Sequence, residues 1–172
     1  SGEELHQSKG WDDGIPDSEY FAELKRVSKN QIIWGGNYFT DYLNPTKAWI
    51  FWHKKIDDKQ GSNFSDGEMA WSSFKKVTRY FQYGWRGLDY INNAGHDKKI
   101  HPTQKPINLY KWLLTNYAEK GQRILDTHLG SGSSAIAAHY YGVDFVGMEI
   151  DEDYYKAAQE RFTNETKQIA LL

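Results

Sequence analysis

A glycine-rich loop between a short apolar run and a helical run offers the clearest chemistry in this sequence. Residues 126–138 are DTHLGSGSSAIAA, and Gly130 to Ala135 follow the pattern G-x-G-x-x-A. Glycines here let a ligand approach the backbone, and the first turn of the next helix has available N–H groups. Glu149 ends the next strand-like run and can accept both hydrogens of a ribose diol. The pattern predicts a ribose-containing ligand; the alternative is a plain turn between strand and helix.

Asp126 helps to choose among ligands that use such a loop. No Lys-Ser or Lys-Thr follows the glycines, so the loop does not match the phosphate-binding loop of nucleoside triphosphatases. A carboxylate at the end of the strand repels a pyrophosphate but suits an ammonium group. S-adenosylmethionine carries an amine and a sulfonium and has no phosphate, so it is the predicted cofactor. A nicotinamide dinucleotide remains the weaker alternative.

The elements around the loop are predicted to alternate between strands and helices, which indicates an α/β fold with a mainly parallel sheet. The first helix is predicted over 16–29, with Pro16 in a first helical position, and another begins at Pro106. Two more are predicted over 133–142, closed by Gly142, and over 151–162, capped by Asp151. The predicted strands are 31–36, 48–54, 121–126 and 143–150. Residues 55–101 are polar and punctuated by glycine, and are predicted to be irregular.

Composition limits the class of protein. The chain has 172 residues, so one domain is expected, and it has no cysteine, which excludes disulfides and thiolate metal sites. No apolar run reaches the roughly 18 residues of a membrane-spanning helix, so no membrane partner is expected. The lack of cysteine favours a reducing, cytoplasmic setting.

The middle of the chain is more basic than its flanks. Residues 53–101 contain nine Lys and Arg against six Asp and Glu, although the whole chain has a net charge of −2. Eight aromatic residues fall within residues 64–90. Basic and aromatic residues together suit binding to the DNA backbone and stacking on bases; the alternative is that the aromatic residues form a local core. The candidate DNA-binding cations are Lys54, Lys55, Lys75, Lys76, Arg79 and Arg86.

Several segments resemble the amino-methylating DNA methyltransferases, and the resemblance covers roughly residues 10–165. The stretch ILDTHLGSGSSAIAAHYYGVDFVGMEIDEDYYKAAQERF is similar to the cofactor-binding half of these enzymes, and HPTQKP (101–106) resembles the segment before that half in their permuted (beta) class. NQIIWGGNYF and NFSDGEMAWSSF also resemble family segments. The resemblance implies a Rossmann-like S-adenosylmethionine-dependent methyltransferase fold with a mixed, mostly parallel sheet and permuted motif order. It divides the domain into a remnant of the catalytic half (1–52), a target-recognition region (53–100) and a cofactor-binding half (101–172).

The same resemblance implies roles for individual residues. The cofactor would be lined by Asp126, Thr127, Gly130, Ser131 and Gly132, with Glu149 on the ribose and Ile150 near the adenine. The methionine end would be flanked by His101, Thr103, Gln104 and Lys105. No metal is needed. The target base, preferably adenine for N6 methylation and otherwise cytosine for N4 methylation, would be flipped out of double-stranded DNA to contact Asn37 and Tyr38; the alternative for Tyr38 is a core position. His128 is interpreted as a surface residue or as one that lies behind the residues touching the cofactor, and His53 as a surface or phosphate-contacting residue, rather than as catalytic bases.

One expected feature is missing. Amino-methyltransferases hold the target amine with a motif of the form Asp/Asn/Ser-Pro-Pro-Tyr/Phe/Trp, and the nearest strings here, NPTK (44–47) and HPTQ (101–104), lack the second proline and the aromatic residue. Because the motif comes first in the permuted class, three interpretations remain open. The chain is a fragment of a longer enzyme, an inactive homologue that binds DNA or cofactor, or one whose partner chain supplies the motif. The strand carrying the motif would neighbour RILD, so we expect a homodimer or another fragment to complete the sheet.

Overall fold

The computed structural model describes residues 16–55, 65–85 and 99–167, and the chain divides into two compact units. Residues 16–55 and 65–85 belong to the first unit, and residues 99–167 belong to the second. Arg86 lies outside the described residues. None of the helices in these ranges combines the length and apolarity that a membrane crossing requires.

The first unit is built around a four-stranded sheet. It contains the helix α1 (Ser18–Val27) and the strands β1 (Ile32–Trp34), β2 (Ile50–His53), β3 (Gly67–Ser72) and β4 (Arg79–Gln82). The order in the sheet is β1-β3-β2-β4, with β3 antiparallel to β1 and β2, and with β4 parallel to β2. Two of these three pairs are antiparallel, so the prediction of a mostly parallel sheet is wrong for this unit.

β3 and β4 lie in the stretch that was predicted to be irregular, and that prediction is wrong for both strands. Their backbone partners are distant in sequence, as in the pairs Ile32↔Ser72 and Ile50↔Arg79. A local pattern of residues does not reveal such partners. The alternative of an aromatic core is correct for Trp71 and Trp85, which are 5% and 4% exposed.

The core of the first unit lies between α1 and one end of the sheet. Phe21 of α1 packs against Leu43 and Trp71. α1 begins one residue after Asp17, whose side chain accepts a hydrogen bond from the N–H of Tyr20 at 3.0 Å. Pro16 therefore precedes the capping residue and does not occupy the first helical position that was predicted.

The second unit contains a parallel β-α-β arrangement flanked by two helices. Its elements are α2 (Ile107–Tyr117), β5 (Arg123–Asp126), α3 (Ser133–Tyr141), β6 (Asp144–Gly147) and α4 (Glu152–Lys167). β5 and β6 pair in parallel, and α3 forms the crossover between them. Leu114 of α2 packs with Ala137 and Ala138 of α3 in the core. All four predicted elements from residue 121 onward are present.

The predicted helix boundaries at Gly142 and Asp151 are also confirmed, whereas Pro106 precedes the first helical residue of α2 and α4 extends past residue 162 to Lys167. Gly142 ends α3 with φ +79°, a left-handed conformation that favours glycine. Asp151 precedes α4, and its Oδ1 accepts hydrogen bonds from the N–H groups of Asp153 and Tyr154. These short-range features depend on residues that are close together in sequence, which is why the sequence predicts them well.

One face of the β5–β6 pair is apolar and exposed. The side chains along it are Leu125 (40% exposed), Val146 (47%) and, just after β6, Met148 (52%); Ile150 lies further along, in the bend after Glu149, and is 84% exposed. Ile124 and Phe145 point to the other face and pack against the core beside α3. Among the described residues, β5 pairs with β6 only. Parallel strands are normally covered on both faces, so this face has the character of an interior surface.

Candidate functional site

The glycine loop connects the end of β5 to the start of α3. Gly130 has φ +53° and Gly132 has φ +75°, so both adopt the left-handed conformation that L side chains avoid. A Cβ on Gly132 would lie 3.3 Å from the Cβ of Ala158 in α4. The loop is anchored to β6 because the N–H of Leu129 donates to the carbonyl of Met148 at 2.8 Å. The glycines thus serve both the turn and its close contact with α4.

Glu149 follows β6 and holds the same loop. Its Oε2 accepts a hydrogen bond from the N–H of Gly130 at 2.8 Å, and its Oε1 accepts one from the N–H of Asp151 at 3.0 Å. Each carboxylate oxygen can accept a further hydrogen bond. The predicted ribose-binding residue therefore also fixes the position of the predicted cofactor-binding glycine, a second role that the spacing in the sequence did not reveal.

Asp126 ends β5 and is bonded to its own loop. Its Oδ1 accepts from the backbone N–H of His128 at 3.0 Å, and its Oδ2 accepts from the hydroxyl of Ser134 at 2.6 Å. Thr127 contacts His128 through a hydrogen bond between its hydroxyl and the imidazole Nδ1, 3.0 Å apart. His128 is exposed, as predicted. Both carboxylates, from Asp126 and Glu149, lie at the carboxyl ends of adjacent parallel strands, where open α/β sheets bind ligands.

The HPTQKP segment packs against the glycine loop. The ring of His101 is 8% exposed and lies 4.3 Å from the ring of Tyr154, measured between centroids. A Cβ on Gly130 would lie 3.7 Å from the same imidazole. The structure therefore brings together the two motifs on which the resemblance was based.

The other residues of this segment differ in their surroundings. Thr103 is exposed, and its hydroxyl lies 3.1 Å from Nδ1 of His101. Gln104 is 5% exposed, and its side-chain oxygen accepts from the N–H of Ile100 at 2.9 Å. Lys105 is partly exposed. Thr103 and Lys105 are thus accessible to a ligand, whereas His101 and Gln104 are buried and shape the segment itself.

Sequence reasoning missed Arg161, which reaches the glycine loop from α4. This residue is 9% exposed, and its Nη1 donates to the carbonyl of Ser131 at 2.7 Å and to the hydroxyl of Ser133 at 3.0 Å. One signal was available, because Tyr154, Ala158 and Arg161 recur at helical spacing and form the buried face of α4. An arginine on a buried helical face needs acceptors, and here the loop provides them.

The predicted base-contacting residues lie in the first unit, after β1. Asn37 and Tyr38 belong to a short 3₁₀ turn, Gly36–Tyr38, and both are exposed, Tyr38 by 78%. The alternative of a core position for Tyr38 is therefore wrong. The turn begins where a Cβ on Gly36 would lie 2.5 Å from the Cβ of Trp71, so only glycine fits there.

The candidate DNA-binding cations fall into two groups. Lys54 forms an ion pair with Glu68, and Lys55 forms one with Asp66. Lys75, Lys76 and Arg79 lie on or beside the connection between β3 and β4, and all three are exposed. His53 is partly buried, and its Nδ1 lies 2.9 Å from the hydroxyl of Tyr80. Only the second group presents its charges outward.

A family model described as DNA methylase, for the N6/N4 type, matches residues 18–160 of the chain. The chain belongs to this family. The matched residues extend from the first residue of α1 well into α4, so the match includes residues of both compact units.

The curated relatives of this chain include Type II methyltransferases. The chain is 34% identical over 164 residues to M2.DpnII of Streptococcus pneumoniae, covering 88% of this chain and 55% of that protein. It is 33% identical over 153 residues to M2.LlaDCHI of Lactococcus lactis subsp. cremoris, covering 84% of this chain and 52% of that protein. The DNA methylase chain thus spans about half the length of the curated relatives it matches.

Solved structures show the same fold. The M1.HpyAVI–SAM complex matches with a TM-score of 0.63 at 20% identity, covering 86% of this chain and 83% of that one. A second crystal structure of M1.HpyAVI matches with a TM-score of 0.56 at 17% identity, covering 85% of this chain and 80% of that one. The chain therefore shares its mixed α/β architecture with these solved structures.

Proposed function

We propose that this DNA methylase transfers a methyl group from S-adenosylmethionine to an exocyclic amine in DNA, with adenine N6 as the preferred target. The observation that carries the proposal is the pair of carboxylates, Asp126 and Glu149, at the ends of adjacent parallel strands around a glycine loop. The proposed place of action is the cytoplasm of a bacterium or phage, in site-specific DNA modification of the kind performed by Type II methyltransferases.

The residues at these strand ends fit S-adenosylmethionine. Glu149 has one remaining acceptor position on each carboxylate oxygen, which suits the two hydroxyls of a ribose. Ile150 is 84% exposed and offers an apolar surface to the adenine. Asp126 would attract the ammonium group, and Lys105 and Thr103 would receive the carboxylate. When bound, the cofactor supplies a methyl group carried on a sulfonium.

Asp126 also argues against a phosphate-bearing ligand. A pyrophosphate packed at the end of β5 would be repelled by this carboxylate, and no basic residue lies in the loop between residues 126 and 135 apart from His128. This supports S-adenosylmethionine over a nicotinamide dinucleotide. We further propose that the exposed Asn37 and Tyr38 contact the target base, through the side-chain amide and the aromatic ring.

We propose that another polypeptide segment completes the sheet of the second unit and brings the catalytic motif that these 172 residues lack, as the resemblance to the permuted class implies. The apolar face formed by Leu125, Val146 and Met148 supports this proposal, since such a face is normally covered. The proposal is compatible with three sources of this segment: a longer form of this chain, a second copy of it, or a different partner chain.

Isothermal titration with S-adenosylhomocysteine tests the cofactor assignment. Glu149→Ala removes the ribose acceptor and the anchor of Gly130, so we expect affinity to fall about 10- to 100-fold. Glu149→Gln keeps one acceptor oxygen and should give an intermediate loss. Glu160→Ala, an exposed change on α4, is the matched control and should bind normally. Equal affinity of wild type and Glu149→Ala would sink the assignment, and tight NADH binding without S-adenosylhomocysteine binding would favour the dinucleotide alternative.

A second candidate function is a non-catalytic module that binds DNA or cofactor. The absence of the Pro-Pro-aromatic motif from these 172 residues favours it. Sequencing the DNA that encodes the residues before Ser1 separates the two: a Pro-Pro-aromatic motif there supports the enzyme. Mapping N6-methyladenine and N4-methylcytosine in DNA from a host that expresses the whole gene then tests the activity and the target base directly.

A further inference from the structure

Among the described residues of the first unit, six lysines and arginines lie near β2, β3 and β4. Two of these six form ion pairs with acidic residues of the same unit. Lys54 and Lys55 follow β2, and their ion-pair partners Glu68 and Asp66 lie at the start of β3. The N–H of Lys54 also donates to the carbonyl of Asp66 at 2.8 Å. Lys55 is only 9% exposed. These two lysines hold the ends of the β2–β3 connection together, so we do not assign them to a ligand.

The other four cations meet at the opposite end of the strands. Lys75 and Lys76 lie in the β3–β4 connection and Arg79 begins β4, while Lys47 lies in the segment before β2. The hydroxyl of Thr78 donates to the carbonyl of Lys47 at 2.9 Å, which brings the two segments together. All four cations are exposed. We call them the basic edge; sequence reasoning missed Lys47 as a member because it lies 28 positions before Lys75.

The basic edge has no acidic residue near it in sequence. Neither 42–55 nor 69–85 contains Asp or Glu. Within the described part of the chain, no ion pair involves Lys47, Lys75 or Arg79. Asp66 and Glu68, the acidic residues of β3 and its approach, are engaged by Lys55 and Lys54 at the far end of the strands. The charges of Lys47, Lys75 and Arg79 are therefore directed to solvent.

Next to the basic edge, the sheet presents aromatic rings. Tyr80 is 55% exposed, and its ring stacks beside Phe51, with centroids 6.1 Å apart. Its hydroxyl lies 2.9 Å from Nδ1 of His53. Cations beside outward-facing aromatic and polar groups suit a polyanion that also offers sugars and base edges.

We propose that the basic edge, with Tyr80 beside it, is the surface through which this protein contacts the phosphate backbone of double-stranded DNA. The proposal rests on the proposed function and divides its DNA-binding residues into contacting cations (Lys47, Lys75, Lys76 and Arg79) and cations that organise the sheet (Lys54 and Lys55). Phosphate contacts position a protein on the duplex without selecting its sequence, so the edge contributes affinity that is similar for all duplexes.

Fluorescence anisotropy with a labelled DNA duplex tests the basic edge. The variant carrying Lys47→Ala, Lys75→Ala and Arg79→Ala should bind at least about tenfold more weakly, and the slope of log K against log salt should fall by about 2.7, or 0.9 for each phosphate contact. A control carrying Lys29→Ala, Lys120→Ala and Lys167→Ala loses the same charge at other exposed positions and should keep affinity and slope.

S-adenosylhomocysteine titration of the same variants separates this inference from the proposed function. Unchanged cofactor affinity with weakened DNA binding supports the basic edge. Equal weakening in both triple variants, or an unchanged salt slope, would overturn it while leaving the methyltransferase assignment in place. If the wild-type protein binds S-adenosylhomocysteine but no duplex, or prefers single-stranded RNA, the basic edge is refuted as a duplex-contacting surface.

Discussion

At the scale of single residues, two glycines have the same left-handed backbone conformation but different surroundings. Gly132 and Gly142 have φ +75° and φ +79°, and an alanine at either pays for a left-handed conformation. Nothing lies within 4 Å of a Cβ on Gly142, whereas a Cβ on Gly132 would meet Ala158 at 3.3 Å and the carbonyl oxygen of Ala158 at 3.4 Å. Alanine substitutions at the two positions therefore distinguish two effects. Both introduce an unfavourable left-handed backbone conformation, but only the substitution at Gly132 crowds the loop against α4.

Gly142→Ala should lower the free energy of unfolding by about 1–2 kcal/mol and leave S-adenosylhomocysteine affinity unchanged. Gly132→Ala should lose more stability and bind the cofactor more weakly, because its methyl group pushes the loop away from α4. Urea unfolding and isothermal titration measure the two effects. Identical behaviour of both variants would show that the contact with Ala158 has no influence on the loop.

Residue types with local chemical meaning were predictable. Asp126, Gly130 and Glu149 were identified because a strand end, a tight turn and a ribose acceptor each require particular residue types. Their contacts were less predictable: the hydrogen bond from Ser134 to Asp126 depends on how the first turn of α3 folds back. The sequence thus predicted the residues of the candidate site better than it predicted the hydrogen bonds that these residues form.

At the scale of elements, α4 supports the cofactor loop through Arg161. Arg161→Ala removes a buried guanidinium and leaves the carbonyl of Ser131 without this donor. We expect a loss of about 2–3 kcal/mol in stability, together with weaker binding of S-adenosylhomocysteine. Arg123→Ala is the matched control, since the Arg123 side chain is 75% exposed and its loss should change stability by less than about 0.5 kcal/mol.

Urea unfolding and cofactor titration of the two arginine variants provide the measurement. The variant Arg161→Lys is informative as well. Lysine keeps the positive charge and a hydrogen-bond donor, so this variant should lose less stability and less cofactor affinity than Arg161→Ala. If Arg161→Ala behaves like Arg123→Ala in both assays, the arginine does not position the loop.

The elements differed in how well the sequence predicted them. β5, α3 and β6 follow one another within residues 123–147, and their apolar patterns and end signals are local. β3 begins with Gly67 and Glu68, and β4 has exposed residues at three of its four positions, so neither shows the pattern of a buried strand. Their stability comes from pairing with β1 and β2, which lie up to 40 residues away in the register. Such pairing cannot be inferred from a short window of sequence.

At the scale of the whole molecule, the exposed apolar face of the β5–β6 pair should govern association. We expect the 172-residue chain to self-associate in sedimentation velocity experiments, and Val146→Ser with Met148→Ser to reduce this association, because both side chains are about half exposed. Val27→Ser with Val77→Ser is the control, since these side chains are 49% and 54% exposed in the first unit. A monomeric wild-type chain, or an equal effect of both double variants, would contradict the role of this face.

The ion pairs between Lys54 and Glu68 and between Lys55 and Asp66 have a consequence for how such a protein diversifies. They fasten the two ends of the connection that contains residues 56–64, so the register of β2 and β3 does not depend on what lies between them. Doubling the length of a closed loop costs only about 0.6 kcal/mol. Insertions and replacements in this connection are therefore tolerated, and new specificity can evolve there while the sheet that carries it stays the same.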